Sequence, residues 1–96
     1  MAGLVIRAEP TPNPRSMKFT ANRVLRGGPA AAFYDAASAS EDPVASRILG
    51  LPGVTGVMLL KDFCTVNQDG SREWNELAPQ IIEILTAAFG TGSGRE

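Results

Sequence analysis

Cys64 is the residue of this chain best suited to covalent or metal chemistry, and it stands alone. The 96 residues contain one cysteine and no histidine. A closed zinc site or an iron–sulfur cluster needs several soft ligands, and one thiol cannot form an internal disulfide. The neighbours of Cys64 along the chain include no cation or helix start that would lower the pKa of its thiol. The sequence therefore predicts a structural core cysteine, no bound metal and no cofactor.

Acidic residues are the other candidates for catalysis or for a metal site. They lie near predicted turns and helix starts, where carboxylates commonly accept hydrogen bonds from backbone N–H groups; they are Glu41, Asp42, Asp62, Asp69, Glu73 and Glu76. The sequence has no acid and base paired at a recognisable spacing and no phosphate-binding loop. We therefore predict capping and surface roles for these carboxylates, and no enzymatic activity.

The net charge of −1 hides an asymmetry along the chain. Residues 1–26 carry a charge of +4, whereas residues 27–96 carry −5. The two parts can attract each other in the folded protein, or the basic part can face an acidic protein partner. Nucleic acid is not an expected partner, because a pI near 5.4 contradicts the basic footprint of such proteins.

The hydrophobic pattern indicates a small globular domain. No apolar run is long enough to cross a membrane, and the N-terminal apolar residues are interrupted by Arg7 and Glu9. We therefore expect a soluble, cytoplasmic protein without a membrane partner. Residues 1–90 are predicted to form one domain, and the Gly/Ser-rich residues 91–96 are predicted to be a disordered tail.

Three prolines at alternate positions, Pro10, Pro12 and Pro14, separate two predicted strands. Each proline fixes its own φ, lacks an N–H and pushes the preceding residue toward extended geometry. The segment is therefore predicted to be a stiff, extended connection and not a central strand. It can serve as a rigid crossover, or it can present polar side chains to a partner on a preorganised backbone. The sequence leaves both roles open.

The rest of the chain predicts a third strand near residues 31–35, a helix over 43–49, a hairpin over 54–67 and a terminal helix over 72–89. Asp42 suits the N-cap of the first helix and Pro43 its first position, while Gly50 is predicted to be its left-handed cap. Pro79 is expected to kink the second helix or to mark a second start. The apolar face predicted for that helix consists of Trp74, Leu77, Ala78, Ile81, Leu85 and Ala88.

These elements give an α+β fold in βββαββα order. We expect a single two-layer domain in which two helices cover one face of a mainly antiparallel sheet of about five strands. A two-residue turn at Lys61 and Asp62 would place alternate hairpin residues on opposite faces. We predict that the buried face consists of Val57, Leu59, Cys64 and Val66, although a slip of one residue would exchange the faces. The other face is also largely apolar and can be covered by a loop or open to a partner.

Four motifs resemble the N-terminal domain of Nfu/NifU-type iron–sulfur scaffold proteins. The most specific is PTPNPRSMKF at residues 10–19, and the supporting ones are VTGV at 54–57, KDFCTV at 61–66 and WNELAP at 74–79. The likeness runs over about residues 4–89. It implies the same two-layer architecture. It also implies that the cluster-ligating cysteines of the family belong to a separate C-terminal domain, and this sequence has no C-x-x-C pair.

The resemblance implies a non-enzymatic accessory or interaction module of iron–sulfur cluster assembly, which contacts a scaffold or an apo-client protein. Two alternatives remain, namely a generic protein-interaction domain and a weak metal or cluster carrier that uses Cys64 in a dimer. The sequence does not determine the oligomeric state. For partner binding we predict polar contacts and an apolar platform, formed by Asn13, Arg15 and Lys18 and by Met58, Leu60 and Phe63, respectively.

Overall fold

A five-stranded sheet with two helices forms the fold in the computed structural model. The structure describes residues 4–25, 28, 31–35 and 42–89. The elements are β1 Ile6–Pro10, β2 Ser16–Ala21, β3 Ala31–Phe33, α1 Pro43–Leu49, β4 Val54–Leu59, β5 Phe63–Gln68 and α2 Trp74–Phe89. The predicted α+β class and βββαββα order are therefore confirmed. The predicted tail at 91–96 and the acidic residue Glu41 lie outside the described residues.

The strands are arranged in the order β1-β2-β5-β4-β3, and every neighbouring pair is antiparallel. α1 packs against β4 and α2, and α2 also reaches β1. The helices and one face of the sheet share a buried cluster that includes Phe19, Ile48, Val57, Ile81 and Leu85. Burial of this apolar surface is the main favourable term in folding. Both helices therefore lie on the same face of the sheet.

The β4–β5 hairpin has the predicted register. Val57 pairs with Val66, Met58 with Thr65 and Leu59 with Cys64, and the turn at residues 61–62 closes with a 2.9 Å hydrogen bond from the N–H of Leu60 to the carbonyl oxygen of Phe63. The predicted choice of buried face is confirmed, because Val57, Leu59, Cys64 and Val66 are each at most 1% exposed.

Helix α1 begins as predicted and ends differently. The carboxylate of Asp42 accepts hydrogen bonds from the N–H groups of Val44 and Ala45, and Pro43 is the first helical residue. Gly50 was expected to be left-handed, but it has φ −74° and continues the right-handed turn, so that prediction is wrong. The left-handed residue is Gly53, with φ 87°, because the chain reverses there to enter β4.

The three prolines do not form an extended crossover, and this prediction is corrected. Pro10 belongs to the edge strand β1, where the N–H group that proline lacks is not needed for pairing with a second strand. β1 and β2 are neighbours in the sheet, so the segment between them does not cross over any other strand. The connection is a tight turn, closed by a 2.9 Å hydrogen bond from the N–H of Ser16 to the carbonyl oxygen of Asn13. Asn13 at the first position and Pro14 at the second are typical of such turns. We call residues 11–16 the proline turn.

Helix α2 begins at Trp74, two residues later than predicted, and it continues through Pro79 without a second start. Pro79 is exposed, so water can reach the carbonyl group left without its helical donor. Ala88 was expected on the buried face but is exposed. Ile84 is buried instead, and Phe89, one turn beyond Leu85, packs against the core.

Strand β3 is shorter than predicted, because it pairs with β4 only over Ala31–Phe33. Within the described part of the chain, neither helix is long and apolar enough to cross a membrane.

Candidate functional site

The sheet face opposite the helices carries four of the six predicted partner-binding residues. Strand alternation places on it the side chains that lie between the buried residues of β2, β4 and β5. Met58 is 37% exposed, and Lys18, Leu60 and Phe63 are half-buried. Neither helix covers this face. We call it the open face.

Lys18 and Phe63 form the most distinctive contact of the open face. Lys18 lies on β2 directly opposite Thr65, and Phe63 lies two residues before Thr65 on β5. The Lys18 Nζ atom is 4.4 Å from the centre of the Phe63 ring. A cation at this distance is attracted by the electrons of the ring face, typically by about 0.5–1 kcal/mol at an exposed site. The ammonium group therefore rests on an aromatic surface while remaining accessible to solvent.

Tyr34 and Asn67 belong to the open face and were not predicted as site residues. The Tyr34 ring lies over Gly56, so close that a Cβ atom on Gly56 would be 3.0 Å from the ring. Tyr34 is nevertheless 66% exposed. Asn67 pairs with Gly56 and with Ser16, whose hydroxyl donates a hydrogen bond to the Asn67 Oδ1 atom. The sequence signal for this cluster is Gly56 in the middle of a predicted strand, because a glycine there often marks the close approach of another group to the backbone.

The other two predicted site residues, Asn13 and Arg15, lie in the proline turn. The Asn13 Oδ1 atom accepts a hydrogen bond from the N–H of Arg15 at 2.9 Å, and so it stabilises the turn itself. The Arg15 guanidinium covers Gly70, where a Cβ atom would be 3.1 Å from Arg15 Nε. The six residues thus divide between the open face and the proline turn. Their role in partner binding stays a prediction.

Asp69 stabilises the turn that follows β5, which is the kind of local role predicted for the acidic residues. Hydrogen bonds from Ser71 hold the pKa of the Asp69 carboxyl below its ordinary value, with a smaller contribution from the positive charge of Arg15. The N–H of Ser71 donates to Asp69 Oδ1 at 2.9 Å. Asp69 and Asp42 therefore have local structural roles.

The proline turn is also tied to α2. The Trp74 indole donates a hydrogen bond from Nε1 to the carbonyl oxygen of Pro14 at 2.9 Å. The indole ring meets the ring of Phe19 edge-on, with centroids 6.5 Å apart. Trp74 is half-buried and packs against the core, so its predicted place on the apolar face of α2 is confirmed.

The Cys64 thiol is fully buried between β2 and β4, opposite Phe19 and Leu59. Burial in these apolar surroundings raises the pKa of the thiol from 9.0 to about 12, because the thiolate would lose its hydration. In the described residues, no group of three or more cysteine, histidine, aspartate or glutamate side chains is placed to hold a metal ion. The residues present do not fit an iron–sulfur cluster.

We expect native Cys64 to resist alkylation. At pH 8 the difference between pKa values of 9.0 and about 12 lowers the thiolate fraction about a thousandfold relative to the unfolded chain. The native rate with iodoacetamide should therefore be at least about a thousand times lower than the rate in denaturant, as measured by mass spectrometry of quenched samples. Comparable rates in the two states would show that the thiol is accessible.

Comparison with known proteins gives the family. The family model described as "Scaffold protein Nfu/NifU N terminal" matches residues 6–92. The chain belongs to this family. The resemblance inferred from the four motifs is thereby confirmed.

Similar proteins include "NFU1 iron-sulfur cluster scaffold homolog, mitochondrial" from Drosophila sechellia, which is 30% identical over 90 residues. The alignment covers 93% of this chain but 32% of that protein. The homologue of the same name from Drosophila grimshawi is 31% identical over 88 residues, which cover 91% of this chain and 30% of that protein. The Nfu/NifU N-terminal chain described here thus spans about a third of the length of these relatives.

Solved structures share the fold of this chain, and two of them serve as examples. The solution structure of a NifU-like protein from Saccharomyces cerevisiae has a TM-score of 0.79 and 31% identity, and the match covers 92% of this chain and 82% of that one. A crystal structure of a protein from Staphylococcus aureus has a TM-score of 0.71 and 20% identity, and the match covers 86% of this chain and 98% of that one. The second comparison supports the fold alone. The family as a whole points to an association with iron–sulfur cluster assembly.

Proposed function

We propose that this chain is a non-enzymatic accessory module of iron–sulfur cluster assembly, which contacts a scaffold or an apo-client protein. The observation that carries the proposal is the family match over residues 6–92. The named relatives are much longer, so their scaffold activity is not transferred to this chain. The cytoplasmic location stays a prediction, and the relatives are named as mitochondrial.

Two features support a contacting role over a cluster-carrying role. The open face presents apolar and cationic side chains that neither helix covers. A carrier that used Cys64 from two subunits would have to bring a fully buried thiol, whose pKa is raised to about 12, to the surface of the sheet. That rearrangement would open the centre of the core, because Cys64 belongs to the main buried cluster.

Anaerobic reconstitution with iron and sulfide tests the carrier alternative. We expect a colourless product without stoichiometric iron, because the sequence has one cysteine and no histidine. The measurements are visible absorption and iron content per chain, with the Cys64→Val variant as control. A stable cluster in the parent that is lost in this variant would replace the proposal with the carrier function.

Affinity capture from native lysate, read by mass spectrometry, tests the pathway. Cysteine-rich scaffolds or iron–sulfur clients in the eluate would support the proposed function. Reproducible capture of proteins without any connection to iron–sulfur chemistry would favour the generic interaction domain instead.

We expect reversal of the charges of Arg15 and Lys18 together to weaken capture of such a partner. The melting temperature should fall only slightly, because Arg15 is exposed and the half-buried Lys18 ammonium gains only about 0.5–1 kcal/mol from the Phe63 ring, while both charges can steer association with an acidic surface. Binding by the parent should also weaken toward 0.5 M salt, where the Debye length is about 4 Å.

The measurement is a titration of the captured partner against parent and double variant at two ionic strengths. Arg47→Glu is the control, because Arg47 is exposed on α1, in the helical layer. Since Arg15 and Lys18 lie in different places, the single variants show which of them contributes. Equal affinities for all variants at both ionic strengths would remove both residues from the partner interface.

A further inference from the structure

Three side chains of the open face offer hydrogen-bond donors to an incoming ligand. Lys18 contributes an ammonium group over the Phe63 ring. The Asn67 oxygen is already occupied by the Ser16 hydroxyl, which leaves the amide N–H groups of Asn67 as donors. Arg7 is exposed on the same face, opposite Thr20. A ligand that supplies acceptors would complement this surface.

Glu9 is the carboxylate on the open face among the described strand residues, and it is already engaged. Its Oε1 atom accepts a hydrogen bond from the Thr20 hydroxyl at 3.3 Å. Glu9 is half-buried on the edge strand β1, directly opposite Lys18 in the strand register. The local excess of charge on this face is therefore positive, in contrast to the chain as a whole, whose net charge is −1.

The apolar side chains beside these donors suit a chain segment. Met58 lies opposite Thr65, and Leu60 lies opposite Phe63 across the hairpin. A sheet face is broad and flat, with strands about 4.8 Å apart, so a small molecule bound there would remain largely in water. A peptide segment can cover several of these side chains at once and exclude water from the charged contact, which strengthens that contact.

We propose, as a deepening of the proposed function on which it rests, that the open face binds an apolar segment of a partner protein that carries a carboxylate. The carboxylate pairs with the Lys18 ammonium, which moves from the Phe63 ring or bridges ring and carboxylate. The apolar residues of the segment pack on Met58, Leu60 and Phe63, and Asn67 donates to an acceptor of the segment near Tyr34. The proline turn, with Arg15 directed at Gly70, is not part of this contact.

A phage-displayed library of short random peptides, selected on the immobilised protein, tests the proposal even while the partner is unidentified. We expect enriched peptides to combine aspartate or glutamate with aliphatic or aromatic residues. Addition of a synthetic enriched peptide should shift the backbone amide signals of Lys18, Phe63 and Thr65 in ¹H–¹⁵N spectra. Signals of Arg15 and Gly70 should stay in place.

Variants of the open face separate the charge from the apolar contact. Lys18→Met keeps the length of the side chain and removes the ammonium, and we expect it to weaken binding about tenfold or more, whereas Lys18→Arg should retain most of the affinity. Phe63→Ala should weaken binding to a similar extent. Arg47→Glu should have no effect. Thermal melts and amide spectra of each variant verify that it is folded.

Three outcomes of the peptide experiments would overturn the proposal. They are an absence of enrichment relative to a selection on Lys18→Glu, enriched peptides that are basic or lack apolar residues, and signal shifts confined to the proline turn. Concentration-dependent self-association in sedimentation experiments, abolished by Met58→Asp, would also overturn it in favour of a second copy as the occupant.

This experiment can fail independently of the proposed function. Capture of iron–sulfur proteins that is insensitive to Lys18→Met and Phe63→Ala would retain the function and eliminate the open face as its site. Conversely, acidic apolar peptides could bind the open face while the captured proteins have no connection to iron–sulfur chemistry. In that case the surface assignment would stand and the proposed function would fall.

Discussion

Replacement of Cys64 with aspartate should destabilise the protein by at least about 4 kcal/mol, because a carboxyl group would enter a fully buried apolar position. The introduced carboxyl must either lose its hydration as an anion or take up a proton. A domain of this size has a total stability of roughly 5–14 kcal/mol, so the loss would take from about a third to most of that stability. The melting temperature should fall by about 15–30 °C in thermal denaturation at pH 7.

The pH dependence of the aspartate variant identifies the cause. Burial raises the pKa of a carboxyl group in the folded state above its value in the unfolded chain. Below about pH 4, near the pKa of this group in the unfolded chain, the carboxyl is protonated in both states and burial does not remove a charge from water. As the pH rises above that value, the unfolded chain ionises more readily than the folded one, and the variant loses stability. The difference in stability between parent and variant should therefore be smaller at pH 4 than at pH 7.

Cys64→Val is the matched control for aspartate. Valine is compact and apolar, so we expect a change below about 1.5 kcal/mol. The raised pKa of the native thiol adds a second comparison, because the parent should lose stability relative to Cys64→Val as the pH rises from 9.0 toward about 12. If the aspartate and valine variants both melt like the parent, position 64 is not buried.

The elements that local chemistry specifies could be predicted from the sequence. Asp42 and Pro43 determine the start of α1 through one carboxylate and one fixed φ. The turn at Lys61 and Asp62 determines the register of the hairpin, and that register determines which of its faces is buried. The unusual apolar character of the second face was also visible in the alternation of β4 and β5. The apolar character of this face therefore follows from short-range patterns, whereas its exposure does not, because the sequence also allowed a loop to cover it.

Contacts between distant segments could not be predicted in this way. Local proline chemistry restricts the backbone between β1 and β2, but it does not show whether those strands are neighbours, which depends on the pairing of the whole sheet. The hydrogen bond from Trp74 to Pro14 spans 60 positions. Lys18 meets Phe63 only after β2 has paired with β5, and Tyr34 covers Gly56 only after β3 has paired with β4. Side-chain positions in the candidate site are thus consequences of the tertiary fold.

Phe19→Ala should be the second severe substitution, with an expected loss of about 3–5 kcal/mol. Phe19 is fully buried, lies opposite Cys64 and supports the Trp74 ring. Its removal leaves a cavity under the tryptophan that anchors the proline turn. Trp74 is the only tryptophan in the chain, so its fluorescence reports this site alone. We expect a lower melting temperature and, in the native state, a red-shifted emission.

Phe63→Ala is the matched control, because it removes the same side chain from the opposite face of the sheet. Phe63 is half-buried and contacts the Lys18 ammonium, so its loss should cost about 1–2 kcal/mol and leave the Trp74 emission unchanged. A difference of this kind between two phenylalanines on adjacent strands means that only one face of the sheet contributes to the core. Equal destabilisation by the two substitutions would mean that the open face is itself part of the folding core, and the docking surface proposed for it would be lost.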